Sequence, residues 1–500
     1  MKAISPDPAV HAGNRNMHRY ETTRSFVLTL EADIKDCEFI EKYFRILDQI
    51  YNGCLDIALK RLHRLQMDPE YQMLVKNKSV PGRNKKIHQK QIEYGYTEYQ
   101  LHEKAAEMKH HFSDTVGIDE CQKQATKAFG AVEKIRFHEA DRVRHHSVYD
   151  DTSVEGKSKN SALNYRNGLL YIGRKHKYEV TVKPGDAYAE EALRSSRLKY
   201  VRLTRKTIRG KTRYFVQLVL RGIPPKKHEY GSEETVTGLD IGVSTVAEVS
   251  SEHVQLHALA PEIPETDAEI RRISRAMDRS RRASNPSNYK DDGTILRGKL
   301  KWKYSGRYRK LRAKRRELYR KRAASLKESH EKLANEMLER STCIICETMN
   351  YRALQKRSKK TSVNQKNGRY NRKSRFGKAL ANHAPSMFEA ILDRKLHYIG
   401  KELIHTDTSK ICASQINHAT GEKVKKDLSV RTFEVEGIMV QRDLYSAFIT
   451  GHTAYSSKDS EKPDTVDYES CAADFEHYIV LQKKELKRLQ ETGKLSWYIS

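Results

Sequence analysis

Three carboxylates stand where short apolar runs end. Asp240 lies in TGLDIGVSTVAEV, Thr237 to Val249, among Val236, Leu239, Ile241, Val243 and Val246. Aliphatic and β-branched bulk at that density predicts a buried strand. Glu347 follows the apolar run Cys343 to Cys346 in STCIICETMNYRAL, a second buried strand that delivers an acid at its end. Asp443 stands in MVQRDLYSAFIT, where Ala447, Phe448 and Ile449 are spaced for one face of a helix beginning near the acid. Hydrolysis of a phosphodiester needs such a set: oxygen ligands close enough to hold two hard divalent cations, one activating water and one steadying the leaving oxygen. Each acid alone reads equally as a solvated surface group. Asp240-Ile241-Gly242 is a common hairpin-turn pairing, and Gly242 serves either that turn or close approach of a nucleic-acid backbone.

The elements that must position these acids belong to a long, cationic chain. Its 500 residues are too many for one core, so about two to four domains are expected. There are 94 Lys plus Arg against 65 Asp plus Glu, a formal charge of +29. That excess repels itself unless a polyanion neutralises it, which points to nucleic acid. No apolar run approaches the roughly twenty residues of a spanning helix and no signal peptide opens the sequence, so a cytoplasmic protein with no membrane partner is expected. Seven scattered cysteines do not make a disulfide framework. Cys343 and Cys346 form a C-x-x-C, but inside an apolar strand, where core packing is the simpler reading.

Residues 1–24 are polar and aperiodic and are expected to be disordered. Phe26 to Leu30 is a strand candidate, and from Phe39 the positions Ile40, Tyr43, Phe44, Leu47, Ile50, Cys54, Leu55, Ala58, Leu62 and Leu65 keep helical spacing. A basic break at Val80 to Lys90 precedes two further helices, Tyr99 to Phe112 and Asp119 to Ile135, together a small helical lobe. After Arg144 the period shortens to strands: Leu169 to Ile172, Tyr178 to Val182, Lys199 to Thr204 and Tyr214 to Leu220. Arg209, Gly210 and Lys211 form a tight basic turn, either a nucleic-acid contact or ordinary protection of a strand edge. Pro224 and Pro225 mark a linker.

Between Asp240 and Glu347 runs a strongly cationic segment. Arg271, Arg272, Arg275, Arg279, Arg281 and Arg282 precede NPSNYKDDG; Trp302, Tyr304, Tyr308 and Tyr319 then interleave with Arg307, Arg309, Lys310, Arg312, Lys314, Arg315 and Arg316. Rings among cations can stack bases while pairing phosphates, although Trp302 and Tyr319 serve equally as core of a helical hairpin. Arg352 to Lys378 reads as a basic flexible loop. Met387, Phe388, Ile391, Leu392, Leu396, Ile399 and Leu403 restore helical spacing, and a terminal helix runs from Tyr468 through Leu489.

The segments TGLDIGVSTVAEV, IICETMNYRALQK and QRDLYSAFI resemble the three split parts of the RuvC-like nuclease domain in the TnpB family of transposon-encoded, RNA-guided DNA endonucleases, relatives of the compact type V CRISPR effectors. VEGKSKNSALNYRNG, RLTRKTIRGKTRYFVQLVLRGIPP, NPSNYKDDGTI and KKDLSVRTF extend the similarity over roughly residues 20 to 480. The resemblance implies a bilobed protein: a first wedge strand at 25–36, a helical recognition lobe at 37–143, a wedge β-barrel at 144–228, and a split α/β RNase H-like nuclease domain at 229–455. That domain would hold a basic helical insertion at about 268–340 and a degenerate zinc-ribbon region at about 409–440, with a helical tail at 456–500. It implies that Asp240, Glu347 and Asp443 bind two Mg²⁺ ions, with Arg442 steadying charge or neutralising the acids and Ser446 standing where many relatives carry Asn.

The implied partners are a guide RNA, from a transposon end or a CRISPR array, and double-stranded target DNA beside a short flanking motif. Where relatives place two cysteine pairs, this chain offers only Cys412 and His418, with Glu434 and Glu436 farther on, so no structural zinc is expected. Leu428, Val430, Phe433, Val435 and Ile438 are expected to hold that turn instead. Two other functions fit parts of the pattern: a guide-dependent DNA-binding repressor, which would usually lose an acid, and a guide-free recombination nuclease, which would need no wedge or helical lobe.

Overall fold

The structure, a computed structural model, describes residues 25–112, 115–147, 153–226, 228–356, 363, 368, 376–427, 430–457 and 459–493. The fold is mixed α/β in two compact units that meet in sequence at Pro225 and Lys226. No helix among the described residues is long and apolar enough to cross a membrane.

In the first unit, strand β1 (Ser25–Asp33) alternates buried Phe26, Leu28, Leu30 and Ala32 with exposed neighbours, the period of a strand with one face in a core. Helix α1 (Cys37–Met67) starts where Asp36 accepts a bond from the Phe39 amide at 3.1 Å, and buries the stripe from Ile40 to Leu65. Asp68 ends it and caps α2 (Pro69–Lys76), accepting from the Tyr71 amide at 2.8 Å. The basic break expected at Val80 to Lys90 instead contains α3 (Arg83–Glu93). Lys, Arg and Gln are good helix formers, and the break is confined to the turn ending at Gly82, whose φ is 66°. Helices α4 (Glu98–His110) and α5 (Ile118–Arg136) complete the bundle against α1.

Strands β2 (Ser153–Glu155), β3 (Leu163–Arg166), β4 (Leu169–Ile172) and β5 (His176–Thr181), helix α6 (Ala187–Ser195), and strands β6 (Arg197–Ile208) and β7 (Lys211–Arg221) follow. Together with β1 these strands make a seven-stranded antiparallel sheet in the order β2-β6-β7-β1-β5-β4-β3. β3 comes into contact with β6, so the sheet curls, while its edge strands β2 and β3 are not paired with each other. The basic tip is a two-residue turn: Arg209 and Gly210 have φ of 50° and 78°, the left-handed pair that matches strand twist, and Lys211 is already the first residue of β7.

The second unit is built on a five-stranded sheet ordered β10-β9-β8-β11-β12. The long strand expected at Thr237 to Val249 is in fact two: β8 (Ser232–Ile241) turns at Gly242 into antiparallel β9 (Thr245–Val249), followed by β10 (Val254–Ala258). Two basic helices intervene, α7 (Ile263–Ala283) and α8 (Gly306–Arg340), before β11 (Ser341–Glu347) pairs in parallel with β8. Asn285 locks the hairpin between the helices, donating to the carbonyls of Arg281 and Lys303 at 2.8 Å each and accepting from the Lys303 amide at 2.6 Å. Helices α9 (Tyr351–Gln355) and α10 (Gly377–His383) flank the basic stretch expected as a loop, most of which lies outside the described residues.

Helix α11 (Pro385–Tyr398), strand β12 (Ile404–Thr406), helix α12 (Thr408–Ile411), the hairpin β13 (Thr432–Val435) and β14 (Ile438–Gln441), and helices α13 (Arg442–Gly451) and α14 (Tyr468–Thr492) follow. One sheet face packs Leu239, Ile241, Ile344 and Cys346 on α8 and α11, and Cys343 is buried as well, so both cysteines of the C-x-x-C are packing residues. The opposite face packs Ala247 and Val249 on α13 and α14. The terminal helix is a packing element, with Phe475, Tyr478 and Ile479 buried against Phe448 and its neighbours. In the β13–β14 turn Val435 is buried and Phe433 half-buried as expected, but Val430 is exposed; Leu428 lies outside the described residues.

Burial alone would raise the carboxyl of Glu248 on β9, but hydrogen bonds from His257 and Arg340, and their charges, bring it down to about 2. A depressed carboxyl stabilises the fold fully above its unfolded value, and that contribution is lost as pH falls from about 4.5 toward 2. The difference amounts to about 3 kcal/mol. Urea titrations from pH 6 down to pH 2.5 should show it in the parent and not in Glu248→Gln; parallel pH profiles would remove the assignment.

Candidate active site and nucleic-acid interface

Register brings the first two acids side by side. Leu239 is abreast of Cys346 in the parallel β8–β11 pair, so the next step sets Asp240 beside Glu347. Leu239, Ile241 and Cys346 point into the α8/α11 core, and alternation therefore puts both acids on the other face, toward α13. Asp443 is in the first turn of α13, where a carboxylate faces the positive end of the helix dipole.

Close backbone approach makes this possible. A Cβ on Gly238 would lie 2.1 Å from the Ala447 carbonyl oxygen and 2.4 Å from the Gly451 amide nitrogen. Helix α13 therefore lies against β8 as only a glycine strand residue permits. Gln441 caps the helix, accepting from the Leu444 amide at 2.7 Å, and donates to Asp443 Oδ2 at 3.4 Å. Its own amide donates to Gln482 of α14 at 2.9 Å.

The three acids occupy one electrostatic site. Burial, then the nearby charges of Glu347 and Asp443, push the Asp240 carboxyl well above the usual range, against smaller lowering by Ser446 and Arg442. Burial also raises Glu347, opposed by a hydrogen bond from the Ala413 amide, and raises Asp443, opposed by Arg431, Gln441 and Arg442. Like charges crowded in a dry site favour the neutral form. A divalent cation relieves the same repulsion without a proton, and an all-oxygen set of this kind fits Mg²⁺.

Arg442 is buried and donates to the Asp427 carbonyl at 2.9 Å, so it is fixed beside the acids rather than free to reach out. Ser446 is fully buried beside Asp240. Sequence reading missed Arg431, whose Nη1 lies 4.0 Å from Asp443 Oδ2, and the Ala413 amide. The first comes from the strand side of a hairpin and the second from a main-chain donor, neither of which has a spacing signal.

Gly242 serves the turn: its amide donates to the Thr245 carbonyl at 2.9 Å, and an added Cβ would meet Thr245 atoms at 3.3 Å. Cys412 and His418 are differently engaged. The Cys412 thiol donates to the Ser409 carbonyl at 3.5 Å, while buried His418 pairs with the Tyr445 hydroxyl at 2.9 Å among Phe448 and Phe475.

On the α7–α8 hairpin, Arg271, Arg272, Arg275, Arg279, Arg282, Arg307, Arg309, Lys310, Arg312, Lys314 and Arg316 are exposed, whereas Arg281 and Arg315 are half-buried. Some of these charges are internally matched: Arg281 pairs with Asp278 at 3.2 Å and Lys314 with Glu269 at 2.8 Å, and Arg315 reaches Ser274 at 3.5 Å. Trp302 is half-buried, edge-on to Tyr289 with the Arg281 guanidinium 5.3 Å from its ring, so it is a packing residue of the hairpin. Tyr304 is exposed and stacks on Tyr308 at 4.6 Å, and Tyr319 is half exposed. Arg209 and Lys211 are exposed at their turn in the first unit. That unit also holds a cleft of about 610 Å³ lined by Tyr99, His102, Lys123 and Lys157 among others, which no sequence pattern singled out.

No family model matches the chain, and no curated protein matches it. Among solved structures it is similar to a Cas12f1-sgRNA-target DNA complex, with 12% identity and a TM-score of 0.45 over 82% of each chain. It is also similar to a CRISPR-Cas12f ternary complex, with 11% identity and a TM-score of 0.26 over 85% of this chain and 82% of that one.

Proposed function

We propose that the chain is an RNA-guided DNA endonuclease that hydrolyses phosphodiester bonds at Asp240, Glu347 and Asp443. The observation that carries this reading is the convergence of three crowded, partly buried carboxylates from β8, β11 and α13 on one sheet face. The strand order, three antiparallel strands followed by two parallel ones, supports an RNase H-like, RuvC-type domain. Two Mg²⁺ ions on these oxygens would supply activation of water and neutralisation of the leaving oxygen. The chain's own residues do the positioning: Ala413 holds Glu347, Gln441 holds Asp443, and Arg431 and Arg442 offset the acids' charge.

Guide RNA and double-stranded DNA are the partners that the TnpB-like segments and the +29 charge favour. The curled sheet and helices of the first unit are read as wedge and recognition lobe, and the α7–α8 hairpin as a surface for nucleic-acid backbone. Expression with its native flanking DNA, purification at high salt and sequencing of retained RNA test the guided reading. A discrete RNA with a constant scaffold and a variable end is expected, repeat-derived for a CRISPR effector or transposon-derived for a TnpB-like nuclease. Heterogeneous, salt-labile RNA would instead favour a guide-free nuclease, and guided binding without any cutting a repressor.

Arg275, Arg279, Arg312 and Arg316 are exposed on the hairpin with no ion pair among the described residues. Replacing all four with Gln should weaken binding across sequences and lower the slope of log affinity against log salt by about 3, close to one unit for each phosphate no longer neutralised. An unchanged slope would place the nucleic acid elsewhere.

A further inference from the structure

The β9–β10 hairpin gathers a second set of ligand-type side chains, away from the three acids. Residues alternate on a strand, so His253, Gln255 and His257 share one face of the hairpin, and Glu248 sits directly across from Gln255. One ligand atom from each of Glu248, His253 and His257 lies within 4.8 Å of the others. The opposite face, Val254 and Leu256, is in the core with α14, so this face is the one turned toward the end of α8. Glu248 is only 1% exposed.

We propose that Glu248, His253 and His257 bind a borderline divalent cation of the zinc class. Two imidazoles and one carboxylate are a set that such ions take in tetrahedral geometry, with the Gln255 carbonyl or a water as fourth ligand. Glu248 is presented for it. Its Oε1 accepts from Arg340 Nε at 2.9 Å, and its Oε2 accepts from His257 Nε2 at 2.7 Å and Arg340 Nη2 at 2.6 Å. Binding replaces the His257 Nε2 proton, which passes to Nδ1 of the neutral ring, or to solvent from the doubly protonated one, and opens the 2.7 Å gap between Oε2 and Nε2 to about 3.3 Å, the edge of a tetrahedron with zinc-type bond lengths.

Arg340 keeps its bond to Oε1 and orients the carboxylate, and its side chain, 30% exposed, can release Oε2 toward water. His253 turns from Gln255 Oε1, now 2.7 Å away. The sequence reading expected no structural zinc, an expectation drawn from the Cys412–His418 region, and this proposal departs from it; cross-strand pairing assembles this cluster where linear spacing gives no cue. The proposal is independent of the nuclease reading.

The test uses the full chain carrying Asp240→Asn, Glu347→Gln and Asp443→Asn, so that the acid site does not contribute. Titration with Co²⁺ followed by visible absorption, and with Zn²⁺ by calorimetry, should show one ion per chain and a raised melting midpoint. His257→Gln and His253→Ala should each weaken binding at least tenfold, while His405→Ala should leave it unchanged. His253 is partly exposed and its ring meets the neighbouring Gln255 side chain, so its variant reads the site even if the His257 variant folds poorly. Absence of stoichiometric uptake, or uptake that survives His253→Ala with His257→Gln, would overturn the proposal and leave the cluster as an ion-pair pin.

Discussion

Asp240→Asn is expected to abolish cleavage and, in the absence of divalent cations, to raise the melting midpoint. The two effects have one origin. Asp240 is partly buried with Glu347 and Asp443 close by, and its ionised form is disfavoured by desolvation first and by those two charges next. Asparagine keeps the shape and removes the charge, so a cost carried by the folded state disappears. Because the Asp240 carboxyl is raised, the folded protein holds its proton more tightly than the unfolded chain. The parent should therefore lose stability as pH rises through the range where Asp240 ionises, and the variant should lose less.

Added Mg²⁺ should stabilise the parent and not the variant, narrowing or reversing the order. Cleavage should fall by on the order of a thousandfold or more, as for other residues that act as one unit, with guide and target binding retained. Cleavage at the parental rate would remove Asp240 from the site. Equal midpoints in EDTA at every pH would remove the repulsion.

Gly238→Ala should be nearly as damaging to activity although it touches no acid. The new methyl would meet the backbone of α13, Ala447 carbonyl oxygen at 2.1 Å, Gly451 nitrogen at 2.4 Å and Gly451 Cα at 2.8 Å. Backbone in a packed helix cannot step aside as a side-chain tip can, so α13 must move outward and carry Asp443 with it. A loss of about 3 kcal/mol or more is expected, at the upper end for overpacking. Gly242→Ala is the matched control: its methyl meets Thr245 atoms at 3.3 Å and needs a shift of only a few tenths of an ångström. Denaturant midpoints and cleavage rates of the two variants decide the matter. If Gly238→Ala were as stable and active as Gly242→Ala, the close packing of α13 on β8 would not set the position of Asp443.

What was legible in the sequence follows from how local each feature is. Asp240, Glu347 and Asp443 stand out because each ends or begins an apolar element within a few residues, and the periodic stripe of α1 runs from Ile40 to Leu65 without a gap. The hairpin after Asp240 was one of two readings: Asp240-Ile241-Gly242 offered a turn pairing, while the run through Val249 is so uniformly apolar that it reads equally as one continuous strand. Helix α3 was hidden by its charge. Trp302 had two readings and the ring geometry with Tyr289 and Arg281 selects packing. Gly238 gave no signal at all, because what it avoids, the Ala447 carbonyl, is more than two hundred residues away along the chain. Arg431 and the Ala413 amide belong to the same class: they matter through a tertiary approach that no spacing encodes.

The scattering of the acids along the chain has a consequence during synthesis. β8 must wait for β11 across the whole α7–α8 insertion, and both must wait for α13, whose last residue is Gly451. The preceding unit ends at Pro225 and is contiguous, so it can fold while the ribosome is still making the rest. At ordinary elongation rates the interval before Gly451 emerges is roughly ten to fifty seconds. Throughout it the nascent chain already offers a folded basic surface but holds no complete set of carboxylates. On the proposed nuclease reading, fragments that stop short of α13, whether stalled or proteolysed, lack Asp443 and should leave the DNA of the cell that makes them uncut.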